Sequence, residues 1–123
     1  GIVAYTDLGW VLLDLDGDGN PGTGWVVVYT HVANRDQVPV GTQLQAGERI
    51  GHPSCEGGVA SAAHIHIARR FNGEWIPAAG ETPFVLDGWV LIGSDQQYGG
   101  YLMRDGVKVE AWSSYGEVNQ IQR

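Results

Sequence analysis

The sequence predicts an all-β fold built of mostly antiparallel sheets that leave a groove. Three observations carry that expectation. Its apolar segments are short and rich in Val, Ile, Trp and Tyr. Glycine-bearing turns separate them, and glycine is the commonest residue at 19 of 123. No segment shows a sustained 3.6-residue apolar period, and the connections are too short for helical crossovers between parallel strands.

The elements follow in order. IVAY (2–5), WVLLDL (10–15) and GWVVVYTHV (24–32) read as strands. DGDGNPGTG (16–24) is dense turn chemistry, so residues 10–32 form a hairpin with a long loop. VPVGTQLQAGERIG (38–51) suggests a loop and a short strand. HIHIARR (64–70) is a strand, Asn72-Gly73 a turn, and EWIP (74–77) a second short strand. GWVLIG (88–93) and the pair YLMR/VKVEAW around Asp105-Gly106 complete the set, and the tail SSYGEVNQIQR (113–123) has no clear pattern. Trp10, Trp25, Trp75, Trp89 and Trp112 are read first as core or sheet-face residues.

Charge narrows the function. Seven basic residues stand against 14 acidic ones, for a formal net charge of −7, and no basic run exists to meet nucleic acid phosphates. No apolar run approaches the ~18 residues of a membrane helix. The first residues, GIVAYTDLGW, include neither a starting Met nor the basic region and cleavage site of a signal peptide, so the chain reads as processed or excerpted. The single cysteine, Cys55, has no internal disulfide partner.

Histidine placement carries the chemistry. On a strand, residues i and i+2 share a face, so His64 and His66 face one side and Ile65 and Ile67 the core side. Two imidazoles so spaced can share a metal, or one can ligate while the other exchanges protons; an H-x-H alone is more often two polar positions on a half-exposed strand. A second strand adds to the pattern: alternation places Trp25, Val27, Tyr29 and His31 on one face, with Tyr29 and His31 near a strand end. The acids Asp14, Asp16 and Asp18, followed by Gly19 and Asn20, open like a calcium loop. The twelfth position is Trp25 where an EF-hand needs Glu, and the flanks are strands. That leaves a calcium-binding turn or a solvated acidic turn.

The ordered set Tyr29-x-His31, VPVGTQLQAGERIG, the glycine-rich GHPSCEGG (51–58) and His64-x-His66 resembles the lysostaphin-type zinc metallopeptidases, in particular their beta-lytic (staphylolysin) branch. The resemblance covers residues 1–77. It implies a lysostaphin-like peptidase fold with the site in a groove floored by an antiparallel sheet. It also implies a zinc-dependent endopeptidase acting on peptidoglycan peptides outside the cell or in the cell envelope. By the same resemblance His66 binds zinc and His31 and His64 are catalytic. Tyr29 and Trp75 are candidates for lining the substrate groove. Residues 1–78 would form the peptidase-like core and residues 79–123 added strands packed on the same domain.

Two positions depart from the family pattern. Members carry an earlier histidine and aspartate in the zinc shell, and this chain has no counterpart of either, so the resemblance implies that ligands and N-terminal strands lie upstream of Gly1. Ser61-Ala62-Ala63 replaces a Thr-Gly step before the H-x-H. The resemblance also allows Cys55 a disulfide, whose partner would lie upstream. From a different class comes a degenerate relative that binds peptidoglycan or a partner without catalysis, and the acidic turn alone would suit a calcium-stabilised β module. A structural zinc site from Cys55, His64 and His66 matches no common finger spacing. His52 reads as an exposed loop histidine, and a serine triad through Ser54 or Ser61 lacks a nucleophile elbow.

Overall fold

The computed structural model describes residues 1–94, 99–111 and 121. The chain divides into two compact units, Gly1–Ile76 and Pro77–Arg123. Trp112 and nearly all of the tail lie outside the described residues.

The first unit is a five-stranded antiparallel sheet of strands β1 (Ile2–Asp7), β2 (Trp10–Asp14), β3 (Trp25–Thr30), β4 (His66–Phe71) and β5 (Glu74–Ile76), paired in that order. The hairpin of residues 10–32 is present, with Trp10 opposite Thr30 and Asp14 opposite Val26. Strand alternation sorts the apolar residues onto two faces. On one face Val3, Val11, Val32, Val38 and Leu44 form a buried cluster, with Leu13, Tyr29, Ile50 and Ile65 packed against it. On the other, Leu12, Val26 and Val28 are buried beneath Trp10 and Ala68.

Residues 38–51 differ from expectation. They form no named strand but a loop clamped to β1: Val3 N–H donates to the Thr42 carbonyl (2.9 Å) and Gly41 N–H to the Val3 carbonyl (2.8 Å). Their apolar residues Val38 and Leu44 are spaced by six rather than two, and burying both from a looped chain satisfies the core without a regular ladder. β4 begins at His66, not His64, because the preceding backbone diverts to bridge Ser54. Ile65 packs on the core as expected, while Ile67, towards the open end of that face, stays 36% exposed.

The second unit holds a four-stranded antiparallel sheet: β6 (Val85–Leu86), β7 (Trp89–Ile92), β8 (Tyr101–Arg104) and β9 (Val107–Glu110). Among the described residues its buried hydrophobic side chain is Trp89, capped by the Arg104 guanidinium 4.8 Å from the ring centre. Asn72-Gly73, Asp87-Gly88 and Asp105-Gly106 all have positive φ at both residues, from 48° to 82°. That is the geometry of two-residue turns whose twist matches the strands they join. The short strand β6 was not foreseen.

Candidate active site

The ladder between β3 and β4 ends with Thr30 opposite His66. His31 follows one residue beyond on one side, and His64 precedes by two on the other. The sequence predicts a strand over residues 24–32, through Val32. The strand instead stops at Thr30, and His31 takes a left-handed backbone, φ 62°, uncommon for a non-glycine residue and costly unless its surroundings hold it. They do. The His31 carbonyl accepts hydrogen bonds from the Ser54 N–H (2.7 Å) and Ser54 Oγ (3.1 Å), and Val32 N–H donates to the Gly9 carbonyl (3.1 Å). His31 therefore does not continue the face of Trp25, Val27 and Tyr29, and its side chain is 5% exposed.

The rings of His31 and His64 lie 4.5 Å apart, tilted by 49°. His31 Nδ1 is 2.8 Å from the Glu56 carbonyl oxygen and His64 Nδ1 is 2.8 Å from that of Ala62. A carbonyl only accepts, so in each ring Nδ1 carries the proton and donates it. The neutral ring then presents a free lone pair at Nε2. Two imidazoles in contact, each with its tautomer fixed by a backbone acceptor, are arranged to take and give protons at Nε2.

Ser54 joins the two segments. Its N–H donates to His31 and its carbonyl accepts from the His64 N–H (3.3 Å), while Glu56 N–H donates to its Oγ (3.0 Å). The loop through Glu56 and Gly57 presses on the β1–β2 turn so tightly that a Cβ on Gly9 would overlap the Glu56 backbone. Gly9, φ 76°, also has the conformation that favours glycine. Asn34 N–H donates to Glu56 Oε2 (2.7 Å), anchoring the same loop. Ser54 and Glu56 were not foreseen as positioning residues, since their contacts with His31 cross 23 and 25 residues of sequence and no spacing rule marks them.

His66 is exposed and lies in a cross-strand row with Thr30, Trp10 and Asp7. On that face the sheet carries a groove of about 260 Å³. Leu12 and Val28 form its floor, and Tyr5, Asp7, Trp10, Arg70 and Trp75 its sides. Asp7 accepts from the Leu8 N–H (2.7 Å) and the Tyr5 hydroxyl (3.0 Å). The backbone bond first, then the Tyr5 bond, hold its carboxyl below the usual range, and the Tyr5 phenol is raised by the same pairing. Trp75, 54% exposed, lines this groove. Tyr29 does not. It pairs with Ile67 on the opposite face, packs on the Val3–Val11 cluster, and has its phenol pushed up by burial. The two residues expected to line one groove are thus on opposite faces, because alternation from Val26, aligned with Arg70 and Trp75, to Tyr29 is odd in number.

As a zinc site the donor set fits in part. A catalytic zinc takes three protein ligands and a water. His66 is a solvent-accessible imidazole two residues along the chain from His64, but the three histidines do not bring three ligand atoms together. Among the described residues the group that does is Asp14, Asp16 and Asp18, whose oxygens lie within 4.8 Å of one another. Asp14 is fully buried at the end of β2, accepting from the Asp16 N–H (3.1 Å) and Gly19 N–H (2.7 Å). Burial pushes its carboxyl up, but the bonds from the Asp16 side chain and the turn's N–H groups outweigh it and leave it lowered, while Asp16 is raised by sharing that bond. Asp18 caps the turn through Asn20 N–H and Thr23 Oγ1. The triad is a candidate cation site.

No family model matches the sequence, and no curated protein does. Among solved structures the fold is similar to that of pseudoalterin, described as a novel M23 metalloprotease from the deep sea, with a TM-score of 0.69 and 21% identity. The alignment covers 91% of this chain and 66% of pseudoalterin, so the chain spans just under two thirds of that protein. The all-β architecture of two antiparallel sheets is therefore similar in fold to that M23 metalloprotease. No helix among the described residues is long and apolar enough to cross a membrane.

Proposed function

We propose that the chain is the greater part of a zinc endopeptidase domain that hydrolyses peptide bonds of peptidoglycan in the cell envelope or outside the cell. The observation that carries this reading is the His31–His64 pair, 4.5 Å apart, each with Nδ1 committed to a carbonyl and Nε2 free, with the exposed His66 two residues further along the chain. His66 is the zinc ligand this chain supplies. The chemistry zinc supplies when bound is polarisation of the scissile carbonyl and acidification of a water to a pKa of about 7. One of the free Nε2 atoms accepts the proton of the attacking water. The same ring, now an imidazolium, returns that proton from Nε2 to the departing amine, while the other ring, on taking up a proton from solvent at Nε2, donates to the developing oxyanion. The groove face positions the peptide over the sheet, with Leu12 and Val28 beneath it.

A single imidazole holds zinc weakly, so calorimetry on these 123 residues is expected to show no tight stoichiometric zinc binding. In the full-length protein, peptidoglycan incubated with zinc should release new amino termini, and a chelator or His66→Ala should abolish the release. Hydrolysis that persists in chelator, or in His66→Ala, contradicts the reading.

A further inference from the structure

Arg70 is the cation in the groove, and the proposed chemistry leaves it unused. Its Nε is buried and has no hydrogen-bond partner. No carboxylate pairs with it among the described residues, although acids outnumber bases 14 to 7 in the chain. Its side chain stacks on a ring: the guanidinium sits 4.6 Å from the centre of Trp75, directly across the β4–β5 ladder. Such stacking fixes the plane of the fork without satisfying its N–H donors, which remain able to meet a planar acceptor. A cation half withdrawn from water, held flat and left unpaired is prepared for an anion that arrives with the ligand.

Arg70 shares a face with His66 and lies four residues along β4 from it, roughly 13 Å at about 3.3 Å per residue. An extended peptide crossing the groove covers that span in about four residues. We propose that Arg70, stacked on Trp75, is a specificity subsite for a carboxylate of the peptide substrate, about four residues from the bond cut at the histidine end. The carboxylate comes from an acidic side chain or from a free peptide C-terminus. This subsite rests on the peptidase reading for the nature of its occupant.

The test is a binding measurement on the chain as it stands, free of any need for turnover. Acetyl-Gly-Gly-Gly-Glu amide, its Gln twin and acetyl-Gly-Gly-Gly-Gly with a free C-terminus are titrated while tryptophan fluorescence is followed. The glutamate peptide, the free-acid peptide or both should bind about tenfold tighter than the Gln twin, as a charge-assisted bond over a neutral one would give. The arm that binds identifies the source of the carboxylate. The preference should shrink with added salt, vanish in Arg70→Gln, and partly return in Arg70→Lys. Equal binding of all three peptides to the wild-type chain overturns the subsite without any variant being made. A preference that survives in a folded Arg70→Gln overturns it equally. The titration needs neither zinc nor turnover, so a peptidase reading that fails on zinc or hydrolysis is told apart from a subsite that fails on binding.

Discussion

The two faces of the five-stranded sheet are made from the same strands and serve different ends. One face is sealed: Val3, Val11 and Val32 are fully buried, and the loop of residues 38–50 closes over them. The other keeps Leu12 and Val28 low but surrounds them with Tyr5, Asp7, Trp10, Arg70 and Trp75, leaving a groove. His31 stands where the two meet. The left-handed turn at this residue takes it off the strand's face pattern and against His64. Stability is thus concentrated on the closed face, and the open face carries the polar and aromatic groups that a ligand could use.

That division can be broken in a graded way. The largest effect is expected for His64→Ala. Hydrolysis by the full-length protein should fall about 100- to 10,000-fold, with the melting temperature nearly unchanged because this side chain is exposed. Gly9→Ala should destabilise the chain by about 3 kcal/mol in a denaturant titration. The new methyl overlaps the Glu56 backbone at a left-handed position, and the carbonyl that holds His31 must move. Val11→Ala, on the closed face, should cost about 2 kcal/mol by the same measurement. Trp75→Ala, on the open face, should cost less than about 1 kcal/mol. If it costs more than Val11→Ala, the open face is a second core and the division is wrong.

The smallest effect concerns the acidic turn and has a defined sign. Asp16 is raised by its bond to Asp14, then by burial and by the charges of Asp14 and Asp18. A raised carboxyl stabilises the fold below its unfolded value, and that contribution is lost as pH rises through the folded value. Asp16→Asn should therefore raise the melting temperature slightly at pH 7 without added cation. Asp14 is lowered, so its contribution holds above the usual carboxylate range and is lost as pH falls through its folded value. If the triad holds calcium, the order reverses: calcium should raise the melting temperature of the wild-type chain and not that of Asp16→Asn.

Much of the fold was legible because its signals are local. Alternating apolar residues and Asn-Gly or Asp-Gly pairs mark β1 to β5 and the β8–β9 hairpin. Asp87-Gly88 carries the same turn signal with the same left-handed geometry, but the flanking strand β6 is two residues long and offers no alternation to read. Residues 38–51 misled for the converse reason: their apolar residues fill the core from a loop. Within the site, the identities of His31, His64 and His66 stood out by residue type, while their placement did not. The turn of His31 off the strand depends on Ser54, Glu56 and Gly9, which are remote in sequence. Arg70 was hidden because only the ladder to Trp75 shows that its guanidinium stacks on a ring.

Long-range nitrogen–proton correlation spectra of the imidazoles during a zinc titration address the paired-histidine centre most directly. The expected result is that His31 and His64 are both protonated at Nδ1 and free at Nε2, and that zinc first perturbs the nitrogens of His66. Spectra with Nε2 protonated in either of the pair, or zinc coordinated by His31 in place of His66, would contradict it.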